Sequence, residues 1–211
     1  MQDIHNLRTK IVSIRQGEAL GLGHAILQAR SAVSGEPFAI VLPDRVMNAQ
    51  EINLKKDNLA LMKKHFEKNK SNIILLEKIE KKFSNLYGMA KEKTIKDEEF
   101  KVLMDIVEKP SPSKSPSNKA VLGRYIFKND IFNSLEFISK KNLNSKNIKE
   151  IELTDAIKHY INNGGEVVST LSKGECFDCG DKLGYLKAIL VNAKYHKDTR
   201  EGIKKIVSQL F

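Results

Sequence analysis

The sequence has few cysteines and no long apolar segment. Its two cysteines, Cys176 and Cys179, have C-x-x-C spacing, but a zinc site would need a second pair and no redox motif surrounds them. No apolar run approaches the roughly 18–20 residues that a membrane span needs, and the N-terminus lacks the apolar core of a signal peptide. We therefore expect a protein of the reducing cytoplasm with no membrane partner.

The sequence also lacks the short motifs of several enzyme and binding classes. It contains no H-E-x-x-H, no Ser/His/Asp set, no G-x-x-x-x-G-K-[ST] loop and no RNP-type aromatic motif. The net charge of +10 favours an anionic partner, but the lysines are interspersed with acidic, amide and apolar residues. These lysines indicate solvated faces, and we expect no nucleic-acid partner.

The apolar pattern of the first 80 residues predicts alternating strands and helices. Lys10–Gln16 alternates β-branched residues and predicts a strand, and Gly23–Val33 has helical spacing. Pro37–Asp44 is almost wholly apolar, as in a central strand of a parallel sheet. An amphipathic helix at Asn58–Asn69 and a strand at Ser71–Ile79 complete the series. This order is typical of a doubly wound α/β sheet.

The remaining sequence predicts further strands and helices around one Pro/Ser-rich loop. The predicted strands are 86–92, 100–110, 120–127 and 166–174; the predicted helices are 131–140, 154–165, 181–196 and 200–211; the loop is 111–120. A 211-residue chain of this pattern is long enough for one sizeable α/β domain.

Polar groups follow several of the predicted strands. They are the glycine-rich segment 16–23, Asp44, and the pair Glu108 and Lys109, and a second Asp-Gly corner with Asp178 lies in "FDCGD". Ligands of open α/β sheets lie outside the carboxyl ends of the strands, so we expect these groups to meet in one crevice. Carboxylates suit Mg²⁺ and a lysine suits a phosphate, which predicts a phosphorylated ligand with a divalent metal.

Each of these groups also has a purely structural interpretation. The glycines can serve tight strand–helix packing, and Asp44 can be a turn residue or a helix cap. Glu108 and Lys109 can form a surface ion pair. His24, directly after the glycines, suits packing or loop support better than catalysis.

The order of the motifs resembles one family closely. The segments are "RQGEALGLGHAI", "PFAIVLPD", "LYGM", "VEKP", "GRYIF", "EIELTDAI" and "GECFDCGDKLGYLKA". Together they resemble the bacterial UTP–glucose-1-phosphate uridylyltransferases, which are nucleoside-diphosphate-sugar pyrophosphorylases. The resemblance implies a Rossmann-like nucleotidyltransferase fold, with a mixed central sheet and helices on both faces. It places one nucleotidyltransferase domain at residues 1–195 and a C-terminal helix at 196–211.

The resemblance also implies a reaction and its partners. The family converts UTP and glucose 1-phosphate into UDP-glucose and pyrophosphate with Mg²⁺, and the resemblance further implies a homo-oligomer, a dimer or a tetramer. The sugar-phosphate oxygen attacks the α-phosphorus of UTP in line, so no enzyme nucleophile is needed and catalysis rests on positioning and on neutralising phosphate charge.

On the nucleotide side, the resemblance assigns four residues by matching motifs. Gln16 and Gly21 match the positions that read the uracil edge, Gly21 through its backbone. Asp44 matches the magnesium ligand and counts as catalytic. Asp178 matches a second metal ligand of the related sugar thymidylyltransferases.

On the sugar side, the resemblance assigns four more. Gly88 matches a backbone contact to the sugar, Glu108 the carboxylate that holds glucose hydroxyls, and Lys109 the catalytic cation on the sugar phosphate. Arg124, in "GRYIF", matches a position near the sugar, where it either binds substrate or supports the sugar loop.

Two features depart from the family pattern. The G-x-G-T-R-x-x-P-x-x-K loop that wraps the triphosphate has no match, so we expect a sheet without its N-terminal strand–helix unit, an exposed strand edge, and little turnover by this chain alone. The alternative is a remnant or partner subunit that only binds UDP-sugar or makes oligomer contacts. The second departure is Arg45, which we expect either to point outward, to compete for Asp44 or to reach a phosphate.

Overall fold

The computed structural model describes residues 10–93, 99–144 and 149–210. The helices are α1 (Leu22–Gln28), α2 (Arg30–Val33), α3 (Leu59–Asn69), α4 (Ile131–Leu143), α5 (Leu153–Asn162), α6 (Lys182–Tyr195) and α7 (Lys197–Leu210). The strands are β1 (Phe38–Val41), β2 (Arg45–Met47), β3 (Asn72–Lys78), β4 (Gly88–Lys93), β5 (Lys101–Glu108), β6 (Lys119–Phe127), β7 (Val167–Leu171) and β8 (Cys176–Asp178). A 3₁₀ helix spans Lys81–Leu86.

Six strands form the central sheet, in the order β1-β6-β3-β7-β5-β4. Within this sheet β3 and β7 pair in parallel, and the other neighbouring pairs are antiparallel. The expected mixed sheet is confirmed, whereas the parallel doubly wound arrangement read from the first 80 residues is wrong. The remaining strands, β2 and β8, form a separate antiparallel ribbon.

Helices cover both faces of the central sheet, as expected. Strand β3 shows why, because successive side chains of a strand point to opposite faces. Ile74 and Leu76 pack with α1, α4 and α5 on one face, while Ile73 and Leu75 pack with α3 on the other. The first five residues of β3 are buried, and a strand covered on both faces reads as a continuous apolar run.

The first two predicted strands differ from the structure. Lys10–Gln16 forms no strand, and its apolar side chains are exposed, Ile11 at 93%. β-Branched alternation fits a pleated surface, but a strand needs a hydrogen-bonded neighbour, and no described strand pairs with this segment. Pro37–Asp44 contributes β1, which lies at the sheet edge and, among the described strands, pairs with β6 alone, antiparallel. One face of β1 packs on the core while Val41 is 49% exposed, so β1 is half-covered rather than central.

The last third of the chain follows its sequence pattern closely. Helix α5 ends in a Schellman motif, in which Gly164 has φ 84° and the N–H groups of Gly164 and Gly165 donate to the carbonyls of Ile161 and Tyr160. Helix α7 begins three residues before the predicted 200–211 and lies within the expected 196–211 segment, whose Phe211 is outside the described residues. No helix in the described part of the chain is long and apolar enough to span a membrane.

Candidate functional site

A crevice of about 360 Å³ brings five of the predicted residues together. Asp44, Gly88, Glu108, Lys109 and Asp178 all line it. They come from the turn after β1, the start of β4, the end of β5 and the end of β8. The structure therefore places on one surface the groups that the sequence separates by more than a hundred residues.

The two aspartates are held together by the β2–β8 ribbon. Its register pairs Arg45 with Asp178, and the N–H of Cys179 donates to the carbonyl of Asp44 over 2.7 Å. A Cβ added at Gly180 would lie 3.2 Å from Oδ1 of Asp178 and 3.5 Å from Oδ2 of Asp44. The glycine thus leaves open a small space that both carboxylates face.

This donor set fits a hard cation. Mg²⁺ takes oxygen ligands and is commonly held by one or two carboxylates together with substrate phosphates. Among the described residues there is no cluster of three or more histidine, cysteine, aspartate or glutamate side chains that would form an all-protein metal cage. Asp44 and Asp178 supply the two carboxylates that face the space at Gly180, and they could hold such a cation.

Arg45 points into the protein. Two of the orientations considered from the sequence, outward into solvent or onto Asp44, are therefore wrong. Its residue exposure is 7%, and its guanidinium pairs with Glu77 on β3 and, over 2.7 Å, with Oδ2 of Asp178. The guanidinium also stacks on Tyr87, 5.1 Å from the ring centroid. Burial disfavours its charge, but nearby negative charge, that of the Glu77 carboxylate above all, outweighs this effect and raises the pKa of Arg45. Arg45 is thus a fixed positive charge beside the crevice.

Arg124 supports the backbone that carries Asp44. Its Nη1 donates to the carbonyl of Leu42 over 2.8 Å, and its Nη2 donates to the carbonyl of Arg45. These two carbonyls flank Asp44, and Arg124 is not among the residues that line the crevice. Arg124 therefore has a supporting role, and it supports the turn that carries Asp44 rather than the residues around Glu108.

The residues Gly88 and Glu108, which were predicted to contact the sugar, lie next to each other and to Thr154. Register pairing puts Gly88 opposite Glu108. The hydroxyl of Thr154, in the first turn of α5, donates to Oε2 of Glu108 over 2.9 Å. A Cβ at Gly88 would lie only 2.7 Å from Cγ2 of Thr154 and 3.2 Å from Oε2 of Glu108, so this position requires glycine. The carboxylate is held by a hydrogen bond on one oxygen.

Lys109 has an unusual backbone. Its φ is 42°, in the left-handed region that non-glycine residues seldom adopt, and its N–H donates to the carbonyl of Tyr87 over 3.1 Å. Its ammonium lies 3.6 Å from Oε1 of Glu108 and is about half exposed. A strained backbone persists only where the surrounding structure enforces it, and such residues cluster at binding and active sites. The turn aims a cation along the rim of the crevice.

Several crevice residues were not predicted as site residues from the sequence. Thr154, Tyr87, Glu150 and Glu152 line it together with the predicted set. Burial and the nearby charge of Glu108 raise the pKa of Glu152 to about 7. The sequence signal for Glu150, Glu152 and Thr154 is the "EIELTDAI" motif, and that for Tyr87 is "LYGM".

The glycine-rich loop has a clear packing role. Gly21 has φ 93°, and a Cβ there would lie 3.0 Å from the carbonyl oxygen of Ile151. At Gly23 the corresponding distance is 2.6 Å, and the Gly23 N–H donates to that same carbonyl over 2.7 Å. What approaches these glycines is the protein's own backbone, as in the packing alternative considered from the sequence.

Gln16 and His24 brace this loop. Nε2 of Gln16 lies 3.2 Å from the carbonyl oxygen of Gly21, to which it donates, and 2.9 Å from Nδ1 of His24. His24 therefore makes the loop-supporting contact expected of it. Gln16 and Gly21 do not line the crevice itself, whereas Leu22 does, so the loop borders the crevice.

Comparison with known proteins identifies the family of the chain. The family model described as nucleotidyl transferase matches residues 1–195. The chain belongs to the nucleotidyl transferase family. Within that family it is 36% identical over 203 residues to the UTP–glucose-1-phosphate uridylyltransferase of Haemophilus ducreyi, covering 95% of this chain and 66% of the relative.

Solved structures show the same fold. The UTP-bound UDP-glucose pyrophosphorylase of Acinetobacter baumannii matches with a TM-score of 0.80 and 31% identity, over 100% of this chain and 70% of the other. A UDP-glucose pyrophosphorylase complexed with UDP-glucose matches with a TM-score of 0.73 and 32% identity, over 86% of this chain and 64% of the other. This nucleotidyl transferase chain thus spans about two thirds of the length of its relatives.

Proposed function

We propose that this chain carries the sugar-phosphate site, the metal carboxylates and the base-recognition loop of a UTP–glucose-1-phosphate uridylyltransferase. The reaction would form UDP-glucose and pyrophosphate from UTP and glucose 1-phosphate. The observation that carries the proposal is one crevice in which Glu108 and Lys109 face Asp44 and Asp178 in a member of the nucleotidyl transferase family.

The sugar end of the substrate is assigned to Glu108 and its neighbours. An ionised carboxylate accepts hydrogen bonds only, which suits the hydroxyls of a hexose. Thr154 already occupies one side of Oε2 and so fixes how the carboxylate faces the crevice. Gly88 has no side chain to block a sugar ring from the start of β4. We propose glucose rather than another hexose because the similar enzyme of Haemophilus ducreyi is a UTP–glucose-1-phosphate uridylyltransferase.

The phosphate end is assigned to Lys109 and the aspartates. The Lys109 ammonium would hold the phosphate of glucose 1-phosphate and orient its oxygen toward the α-phosphorus of UTP. When bound, Mg²⁺ supplies positive charge that neutralises the phosphate oxygens. Asp44 and Asp178 are the carboxylates that would hold it, across the space left by Gly180.

The base is assigned to the loop that begins at Gln16. The Gln16 amide nitrogen is engaged with Gly21 and His24, and the amide oxygen can accept a hydrogen bond from a uracil edge. Its contacts with Gly21 and His24 hold the amide in one orientation beside the crevice. We place UTP with its base on this loop and its phosphates toward Asp44. A cytoplasmic location and a homo-oligomer stay predictions.

Calorimetry with UDP-glucose and a pyrophosphate-release assay test the proposal together. We expect the chain to bind UDP-glucose more tightly than UDP, because only UDP-glucose reaches Glu108. Pyrophosphate release from UTP, glucose 1-phosphate and Mg²⁺ would show whether the chain also turns over. UDP-glucose binding without release would favour the binding-only alternative, and equal affinity for UDP and UDP-glucose would contradict the sugar site.

A further inference from the structure

The two aspartates of the proposed metal site have very different surroundings. Asp178 accepts hydrogen bonds on both oxygens: Oδ2 from Nη1 of Arg45 at 2.7 Å and from the hydroxyl of Tyr87 at 3.1 Å, and Oδ1 from the N–H of Gly180 at 3.2 Å. Asp44 is exposed, and no group in the described ranges donates to its carboxylate. The carboxylate of Asp178 is already satisfied, and that of Asp44 is open.

The charge of Asp178 is also partly compensated. Arg45 lies directly opposite it in the β2–β8 register and is shared with the partly buried Glu77. The three side chains together carry one net negative charge, and a divalent ion at Asp178 would sit next to a guanidinium. Two like charges at such a distance repel each other. A metal ion therefore gains little from Asp178 as long as Arg45 holds it.

We propose that Arg45 is a built-in counter-cation of Asp178, so that Asp44 is the principal carboxylate for the metal and Asp178, whose Oδ2 is held by Arg45, contributes only weakly through Oδ1. The inference rests on the proposed metal site and goes beyond it, because it makes the two aspartates unequal. Arg45 acts here as a positioning residue through Asp178, not as a group that touches substrate.

Titration of the chain with Mn²⁺ alone tests the inference, with free Mn²⁺ measured by electron paramagnetic resonance and no nucleotide present. Arg45→Gln should tighten Mn²⁺ binding about tenfold, the effect of removing one unit charge roughly 6 Å from a divalent ion in a water-like dielectric. Arg45→Lys keeps the charge and should stay within about threefold of the wild type. Asp44→Asn should weaken binding by at least about tenfold.

A double variant separates charge from ligation. Arg45→Gln combined with Asp178→Asn leaves the local net charge as in the wild type but removes the Asp178 ligand. We expect it to bind Mn²⁺ like the wild type. Tyr87→Phe removes a hydrogen bond to Asp178 without changing charge and should also have little effect. Thermal unfolding of each variant identifies any that fail to fold. If Arg45→Gln does not fold, the double variant still tests whether Asp178 is needed as a metal ligand.

Two results would overturn the inference while leaving the metal site in place. They are an Arg45→Gln variant whose Mn²⁺ affinity does not rise, and a double variant that loses affinity as Asp44→Asn does. Absence of Mn²⁺ binding by both the wild type and Arg45→Gln would overturn it as well. An Asp44→Asn variant that binds Mn²⁺ like the wild type would instead contradict the proposed metal site itself.

Discussion

The hydrogen bond from Thr154 to Glu108 makes a sharp test of the sugar site. Thr154→Val removes the hydroxyl that donates to Oε2 of Glu108 and keeps the methyl group that packs against Gly88. The fold should therefore survive while the carboxylate loses its fixed orientation. We expect a selective loss of affinity for ligands that carry the sugar.

The size of the effect follows from the surroundings of the two side chains. Hydrogen bonds to charged groups contribute about 1.5–3 kcal/mol. Thr154 is 6% exposed but the Glu108 side chain is 23% exposed, so water can replace part of the lost contact. We therefore take the low end, about 1.5 kcal/mol, which corresponds to a roughly tenfold rise in the Kd for UDP-glucose.

Calorimetry with UDP-glucose and with UDP provides the assay. Thr154→Val should weaken UDP-glucose binding and leave UDP binding unchanged, because UDP has no sugar for Glu108 to hold. Thr154→Ser should restore affinity, and Thr170→Val, at a buried threonine outside the crevice, serves as the matched control. An equal loss for both ligands, or no loss for either, would refute the reasoning.

Two further predictions concern stability. The pKa of Glu152 is raised to about 7 in the folded chain, against 4.5 for an ordinary glutamate. Between these two values the folded state binds more protons than the unfolded state, so the contribution of Glu152 to the free energy of unfolding falls as pH rises from 4.5 to 7. Urea unfolding of Glu152→Gln should show a shallower decline of stability with pH than the wild type, and parallel curves would disprove the shift. Gly23→Ala should destabilise the chain by about 1–3 kcal/mol, because its Cβ would lie 2.6 Å from the Ile151 carbonyl oxygen, whereas Gly17→Ala meets nothing within 4 Å and should be nearly neutral in thermal unfolding. A neutral Gly23→Ala would contradict the packing role of the loop.

Much of the fold was predictable because local patterns and tertiary packing agree. Strand β3 is apolar on both faces and lies between two layers of helices, and α5 carries its own stop signal at Gly164. The first strand was wrong because Lys10–Gln16 has strand propensity but no described pairing partner. Its apolar neighbour β1 was placed in the centre because a short apolar run does not reveal which strand lies beside it.

The candidate site was predictable at the ends of strands and less so between them. Asp44, Glu108 and Lys109 stood out because each directly follows an apolar strand. Thr154 was missed because its role depends on α5 reaching the end of β5, a contact across 46 residues that no local pattern encodes. The inward turn of Arg45 depends likewise on its pairing opposite Asp178, 133 residues away.

The affinity for UDP-glucose of a Lys109→Ala variant tests the central claim most directly. In the proposed function Lys109 would hold the phosphate in the crevice, so its removal should weaken binding by at least about tenfold. Lys114→Ala removes an exposed lysine from the adjacent loop and should bind like the wild type. A wild-type chain that does not bind UDP-glucose, or a Lys109→Ala variant that binds it unchanged, would contradict the account.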